Sequence, residues 1–508
     1  MKHYHNRIRI MALLLCALFL LSGCDDMADE RDNLPSMIEN EEEENKQEKP
    51  TLPEVLSLPC NSEQPMDPLT CPDGMHQVIG SLVYEGLFRL DQKFQPQPLL
   101  CKSYQYDAAS LTYSFTLRPG VTFSDGTPLT GQDVKVTLDR ARETDRYRSR
   151  LSGVKKITAA GDTVLVQLSA PNNGFPALLE IPIVKSGTEQ TKTPIGTGPY
   201  LFSGNDCLVA NQTWWQGSKQ PTDRIELVES VDRDTMLYRF TSRDVQLITV
   251  DFTGEEPFTA AGDICFQDTD TTILQYIGCN IHHAPLDNAA FRNALWMGFN
   301  RATVIDAFLS GHGKAAQFPL SPACDLYPKE LEQKYSIEAF TKALKKSEYT
   351  PGRTLTLIVN QENTFKVSVA NYVAQTLTAA GIPVEVRPLP WEDYLSALRR
   401  GAFDFYYGEV KLSADWNLAP LLATGGSLNY GGWSDPNTDA LLTAYAAASD
   451  REQAMKALCL HLKNQAPILP VCFKSTSVLT QAEVIEGLTP TVHEPFFDLK
   501  NSTVHLKK

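Results

Sequence analysis

The segment between Leu355 and Leu389 restricts the fold more than any other part of the chain. Residues 355–359 form an apolar run of strand length. A helix is expected to begin near Asn363, because Ala370, Val373, Ala374 and Leu377 recur at the i, i+3, i+4, i+7 spacing of one helical face. Gly381 stands where a left-handed C-terminal cap is expected, and Val384 and Val386 restore strand alternation. Strand, helix, strand is a βαβ unit, which calls for a sheet with helices packed upon it. Trp391, Tyr394, Leu395 and Leu398 then share the face of a second helix, and 403–407 reads as another strand. Upstream, Leu111, Tyr113, Phe115 and Leu117 alternate with the period of a half-buried strand. The class is α/β.

The N-terminus points outside the cytoplasm. Lys2, Arg7 and Arg9 precede an apolar run from Ile10 to Leu21. As a helix that run rises about 18 Å, short of a hydrocarbon core of roughly 30 Å, so it suits a signal peptide better than a membrane span. It ends in Leu21-Ser22-Gly23-Cys24, which resembles the bacterial lipobox. Residues 1–23 are thus expected to be a lipoprotein signal peptide, with Cys24 carrying the lipid that anchors the protein to the extracytoplasmic face of the cell membrane. Residues 24–50 hold eleven acids against Arg31, Lys46 and Lys49 and show no apolar period. Such a segment buries too little to offset its ordering entropy, and a disordered acidic tether is expected.

The full chain carries a net charge of −15. Loss of three basic residues with the signal peptide makes this about −18, of which the tether holds −8. An acidic body disfavours nucleic acid and anionic membrane as partners. About 455 residues remain after the tether, too many for one ordinary core, so the chain should split into lobes. Beyond Cys16 and Cys24, nine cysteines are left without a Cys-x-x-Cys pair, and they carry no functional weight.

From residue 66 onward a series of segments resembles one family. Met66-Asp67-Pro68, LVYEGLFRL at 82–90 and YSFTLRPGVTFSDGTPLTGQDV at 113–134 begin it. Gly196-Thr197-Gly198-Pro199-Tyr200 follows, then NIHHAPLDNAAFRNAL at 280–295 and Asn300-Arg301. Trp391, Gly401 to Asp404, Asn429-Tyr430 and Asp439 complete it. In this order over about 430 residues they are similar to the family-5 extracellular solute-binding proteins, the peptide- and nickel-binding receptors of ABC importers. The resemblance implies a two-lobed periplasmic-binding-protein-like fold with a hinge and an extra subdomain in the first lobe. The lobes would run as 51–90, the subdomain 91–190 and 191–282 for lobe I, 283–475 for lobe II, and 476–508 for the C-terminal return to lobe I. It also implies a monomer that encloses a small solute or short peptide and presents it to permease subunits.

In peptide-binding members of that family an acid of the second lobe meets the ligand's α-amino group. Asp415 matches that acid here, within Lys411 to Asn417, although Leu412 replaces the family's Trp and the preceding segment is longer. Ser413, Ala414 and Trp416 flank it and are expected beside the ligand. Trp391, Tyr407, Tyr430 and Phe473 are further candidates, each with core packing as the competing reading. A nickel chelate or metallophore is the alternative ligand, and a peptide-sensing receptor the alternative role. His282 and His283, adjacent on an extended segment, point to opposite faces and are not expected to share a metal. No resident metal or cofactor is expected. No His-Glu-x-x-His, Gly-x-Ser-x-Gly, P-loop or dinucleotide fingerprint occurs, which leaves a secreted hydrolase as the remote alternative.

Overall fold

The computed structural model describes residues 52–71, 74–217, 219–253 and 263–507. The expected signal peptide, Cys24 and the tether lie outside them. Among the described residues no helix is long and apolar enough to cross a membrane.

The chain opens with β1 (Leu56–Cys60), α1 (Gly74–Val83) and a hairpin of β2 (Phe88–Leu90) and β3 (Pro96–Pro98). Four antiparallel strands follow: β4 (Cys101–Asp107), β5 (Thr112–Leu117), β6 (Val154–Ala160) and β7 (Thr163–Leu168), in the order β4-β5-β7-β6. Helix α2 (Gly131–Ala141) packs on them. Tyr113, Phe115 and Leu117 of β5 enter this subdomain's own core with Val134, Leu138, Val164 and Val166, as their alternation requires. Leu111 precedes the strand in a left-handed conformation, φ +55°.

The first-lobe sheet is completed by β8 (Tyr200–Ser203), β9 (Cys207–Ala210) and β10 (Arg224–Glu229), in the order β1-β10-β9-β8. Gly196 and Gly198 let the chain press against the last turn of α1. A Cβ at Gly196 would stand 2.1 Å from the Val83 carbonyl oxygen, and one at Gly198 2.6 Å from that of Leu82. Between them the Thr197 hydroxyl donates to Glu85 at 2.7 Å. That motif builds the lobe.

Strand β11 (Leu247–Val250) leads to β12 (Ile264–Cys279), and β13 (Gly313–Ala315) adds a short strand. Then come β14 (Leu355–Asn360), α3 (Thr364–Ala379), β15 (Val384–Leu389), α4 (Trp391–Arg400) and β16 (Phe405–Lys411). The β14-α3-β15 unit is parallel, as read from the sequence. The Asn363 side chain accepts from Lys366 N–H at the start of α3, and Gly381, φ +92°, follows its end. Helices α5 (Pro436–Ala447) and α6 (Arg451–Gln465) precede β17 (Ile468–Gln481). The seven-stranded sheet runs β11-β17-β12-β16-β14-β15, with β13 beside β17.

Strands β12 and β17 pass from one body to the other. Their paired segments from Leu274 and up to Phe473 belong to the second-lobe core, with Trp296, Leu357, Val373 and Tyr406. Leu247, on the strand beside β17, and Val478 belong instead to the first-lobe core, with Leu56, Ile79 and Leu208. The register slips between Asp270 and Leu274, at this changeover. It lies upstream of residue 283, where the sequence places the start of the second lobe. A strand that serves both bodies carries no composition break to mark the crossing.

Candidate ligand cavity between the lobes

A cavity of about 1000 Å³ lies where the bodies face each other. Its wall draws on α1, the subdomain, the β16–α5 region and the C-terminal return. The size is at the upper end for small-ligand sites.

One side of the wall is rich in charge. Arg150 Nη1 meets Glu180 Oε1 at 2.9 Å, with both side chains largely withdrawn from solvent. Arg146 donates to the carbonyls of Pro68 and Cys71, so its charge meets backbone dipoles there. The Lys411 ammonium lines the same cavity and makes no hydrogen bond or ion pair with the described residues. Burial by the cavity walls, reinforced by the Arg150 charge, holds it below the usual lysine range. The residue keeps solvent exposure at the cavity, and a cation there without a counter-charge is stabilised by a carboxylate that enters.

The C-terminal return adds His493 and Glu494. Burial, opposed by Glu180 and aided by Lys411 and Arg150, pushes the His493 imidazole down to about 4. It is therefore neutral at pH 7, and its 3.6 Å approach to Glu180 is not an ion pair at that pH. Burial, opposed by Arg89 and reinforced by Glu180 and Glu85, pushes the Glu494 carboxyl up to about 8. This side of the wall thus presents Arg146, Arg150 and Lys411 beside Glu180.

Asp415 occupies the turn that leaves β16. One carboxylate oxygen accepts from Ser413 Oγ at 2.5 Å and from Asn417 N–H at 3.2 Å. The other accepts from Asn172 Nδ2 of the subdomain at 2.8 Å. Its carbonyl takes Tyr445 Oη at 2.8 Å and Arg451 Nη2 at 2.5 Å. The side chain is only 3 % exposed, yet it lines the cavity.

Of the residues singled out in the sequence, Asp415 and Ser413 line this cavity. Ala414 is half-buried between them and does not line it. Trp416 is buried, φ +56°, edge-on to Phe473 at 6.2 Å. Both rings sit behind the cavity wall. Trp391 begins α4 and is 49 % exposed, stacked on Tyr394 and outside the cavity. At the first helical position it projects beyond the core that receives Tyr394 and Leu398. Tyr407 is buried and donates to Gln275 Oε1 at 2.6 Å, while Tyr406 packs edge-on to Tyr276 on the other face. The sheet is covered on both sides, so alternation assigned neither ring to the cavity. Tyr430 is half-buried against Tyr406. Arg292 and Arg301 bind backbone carbonyls in the core, and His283 pairs with Asp404.

The sequence reading did not single out Arg146, Arg150, Glu180, His493 or Glu494 as site residues. The run Arg146, Arg148, Arg150 is a visible basic cluster; nothing around His493 and Glu494 marked them.

Comparison with known proteins places this architecture. Residues 95–430 match the family model described as bacterial extracellular solute-binding proteins, family 5 Middle. The chain is 27 % identical over 424 residues to the glutathione-binding protein GsiB of Pectobacterium atrosepticum, covering 76 % of this chain and 82 % of that protein. Among solved structures, HbpA2 from Haemophilus parasuis superposes with a TM-score of 0.75 at 20 % identity, over 89 % of this chain and 99 % of that one. The oligopeptide-binding protein AppA from Bacillus subtilis, in complex with a nonapeptide, gives 0.60 at 20 % identity, over 90 % and 100 %. The nickel ABC transporter structure from Bacillus halodurans gives 0.73 at 18 %, over 87 % and 97 %. The chain belongs to the family-5 bacterial extracellular solute-binding proteins.

Proposed function

We propose that this protein is the lipid-anchored solute receptor of an ABC-type importer, and that its ligand is a short peptide with a free amino group and at least one carboxylate. One observation carries the ligand class. The cavity sets the carboxylate of Asp415 against a wall on which Lys411 and Arg146 lack an acidic partner. A zwitterionic peptide matches that layout end for end, and a second carboxylate would be accommodated beside Arg150. The relatives named as glutathione-binding proteins are consistent with a small anionic peptide. Cys24 and the acidic tether would hold the receptor at the membrane yet away from anionic lipid.

A carboxylate-rich metal chelate would satisfy the same cations, and it lacks the amine that Asp415 would bind. Calorimetric titration separates the two. Glutathione and tripeptides with free termini are expected to bind, and amidation of the peptide C-terminus to weaken binding by roughly tenfold or more. Heat from a nickel–histidine chelate with none from any peptide would replace the peptide reading.

A further inference from the structure

The loop Asn172-Asn173-Gly174 of the subdomain reaches across to the second lobe beside the cavity mouth. Its contacts are specific to those three residues. The Asn172 side-chain oxygen accepts Gly174 N–H at 2.9 Å, and the Asn172 carbonyl accepts Tyr113 Oη at 2.9 Å. This fixes the amide so that Nδ2, not the oxygen, faces the Asp415 carboxylate.

Asn173 engages the end of α5. The last carbonyls of a helix have no intrahelical donor and form the negative pole of its dipole. Asn173 N–H donates to Ala446 O at 2.8 Å, and its Nδ2 donates to Ala447 O at 3.0 Å and Ala448 O at 2.9 Å. A residue of one body thus caps a helix of the other. The cap is not fully compensated, since Asn173 Oδ1 is buried without a protein partner.

Gly174 makes the approach possible. Its backbone is ordinary, φ −88°, so any residue fits there conformationally. A Cβ, however, would stand 2.6 Å from Arg451 Nη2 and 2.9 Å from Asp415 Cβ. Both obstacles belong to the second lobe. The three nearest atoms all belong to that lobe, so an alanine collides first with the contact.

We propose that Asn172, Asn173 and Gly174 are positioning residues of the ligand site, which latch the subdomain onto the second lobe and aim the Asp415 carboxylate into the cavity. The latch is made by protein groups alone, so it favours the closed form whether or not a solute is bound. Ligand affinity is then set partly by this contact, because a pre-populated competent state reduces the cost of closing. The inference rests on the two-lobed receptor reading and not on the identity of the solute.

Spin labels introduced as non-natural residues at the exposed positions Lys156 and Lys342 report the distance between subdomain and second lobe. In ligand-free protein by double electron–electron resonance, the wild type is expected to show a short-distance population. Asn173→Ala and Gly174→Ala should each raise the open-to-closed ratio by about fivefold or more. Asn172→Asp, which sets a like charge against Asp415, should open the protein further. Melting curves of the same variants check that each still folds, and Asn173 sits outside every hydrophobic core, so its variant stands if another fails. A wild type with no short-distance population, or folded Asn173→Ala protein that keeps it unchanged, overturns the latch. Because no solute is added, neither outcome bears on whether the ligand is a peptide.

Discussion

Phe94, at the tip of the β2–β3 hairpin, meets Trp416 of the second lobe edge-on with 5.3 Å between ring centroids. Phe94 is thereby buried in the second-lobe core, although its neighbours in sequence belong to the first lobe. Lys93 beside it pairs with Asp325 at 2.9 Å. The ring that sequence comparison set beside the ligand is therefore a receptor for a side chain of the opposite lobe.

That relationship separates two substitutions. Trp416→Ala removes a buried indole from between Phe94 and Phe473, and is expected to cost about 3–5 kcal/mol of stability. Phe94→Ala leaves the second lobe able to fold open, so its cost falls on closure. Thermal melts and glutathione titrations together check this: Phe94→Ala should move the melting midpoint less than Trp416→Ala while weakening binding. Equal midpoint shifts would assign Phe94 to folding alone.

Asp415→Ala is expected to reduce affinity for an amine-bearing peptide by about 2–5 kcal/mol, the range for truncating one partner of a buried charge pair. Part of that loss comes through Asn172, whose amide then faces an empty position. Titration with a free and an N-acetylated tripeptide resolves the contributions. A drop below about 0.5 kcal/mol would confine the acid to its contact with Asn172.

Lys411→Met keeps the aliphatic stem and removes the unpaired ammonium. It should reduce selectivity for a peptide C-terminal acid over its amide, with a loss of about 1.5–3 kcal/mol for the acid and little for the amide. Paired titrations measure both. Unchanged acid affinity would move the carboxylate contact to Arg146 or Arg150.

The pH dependence of stability follows from three groups, Glu85 buried and His493 and Glu494 half-buried. Glu494, pushed up to about 8 from an ordinary 4.5, holds an extra proton in the folded state. Its contribution is full below about 4.5 and is lost as pH rises through about 8. Glu85, pushed up to about 7 chiefly by burial, acts with the same sign. His493, pushed down to about 4, has the opposite sign: its contribution is present above its ordinary 6.5 and lost as pH falls through about 4. Between pH 6.5 and 8 the acids dominate, so the melting midpoint of ligand-free protein should fall. Glu494→Gln should flatten part of that fall, measured by scanning calorimetry across the window. A variant as steep as the wild type would show that Glu494 is already ionised.

The fold was legible where local periodicity and burial agree. β5 alternates because one of its faces meets the subdomain core, and α3 shows its stripe because Ala370, Val373 and Leu377 share one buried face. Asp415 was legible through its place in a family pattern. Tyr407 and Phe473 were not separable from cavity residues, because the sheet is covered on both faces there and consecutive positions are buried alike. Glu494 was unmarked for a different reason, and Arg146 showed only as part of a basic run. They lie far apart in sequence, on segments without periodic signal, and acquire meaning only when the C-terminal return brings them to one wall.

The most direct test is native mass spectrometry of the protein purified gently from an expression host, with tandem fragmentation of anything it carries. The account predicts adducts that fragment into short peptides with free termini. A metal chelate as the sole cargo, or bare protein that also gains no mass when mixed with glutathione and tripeptides, would contradict it.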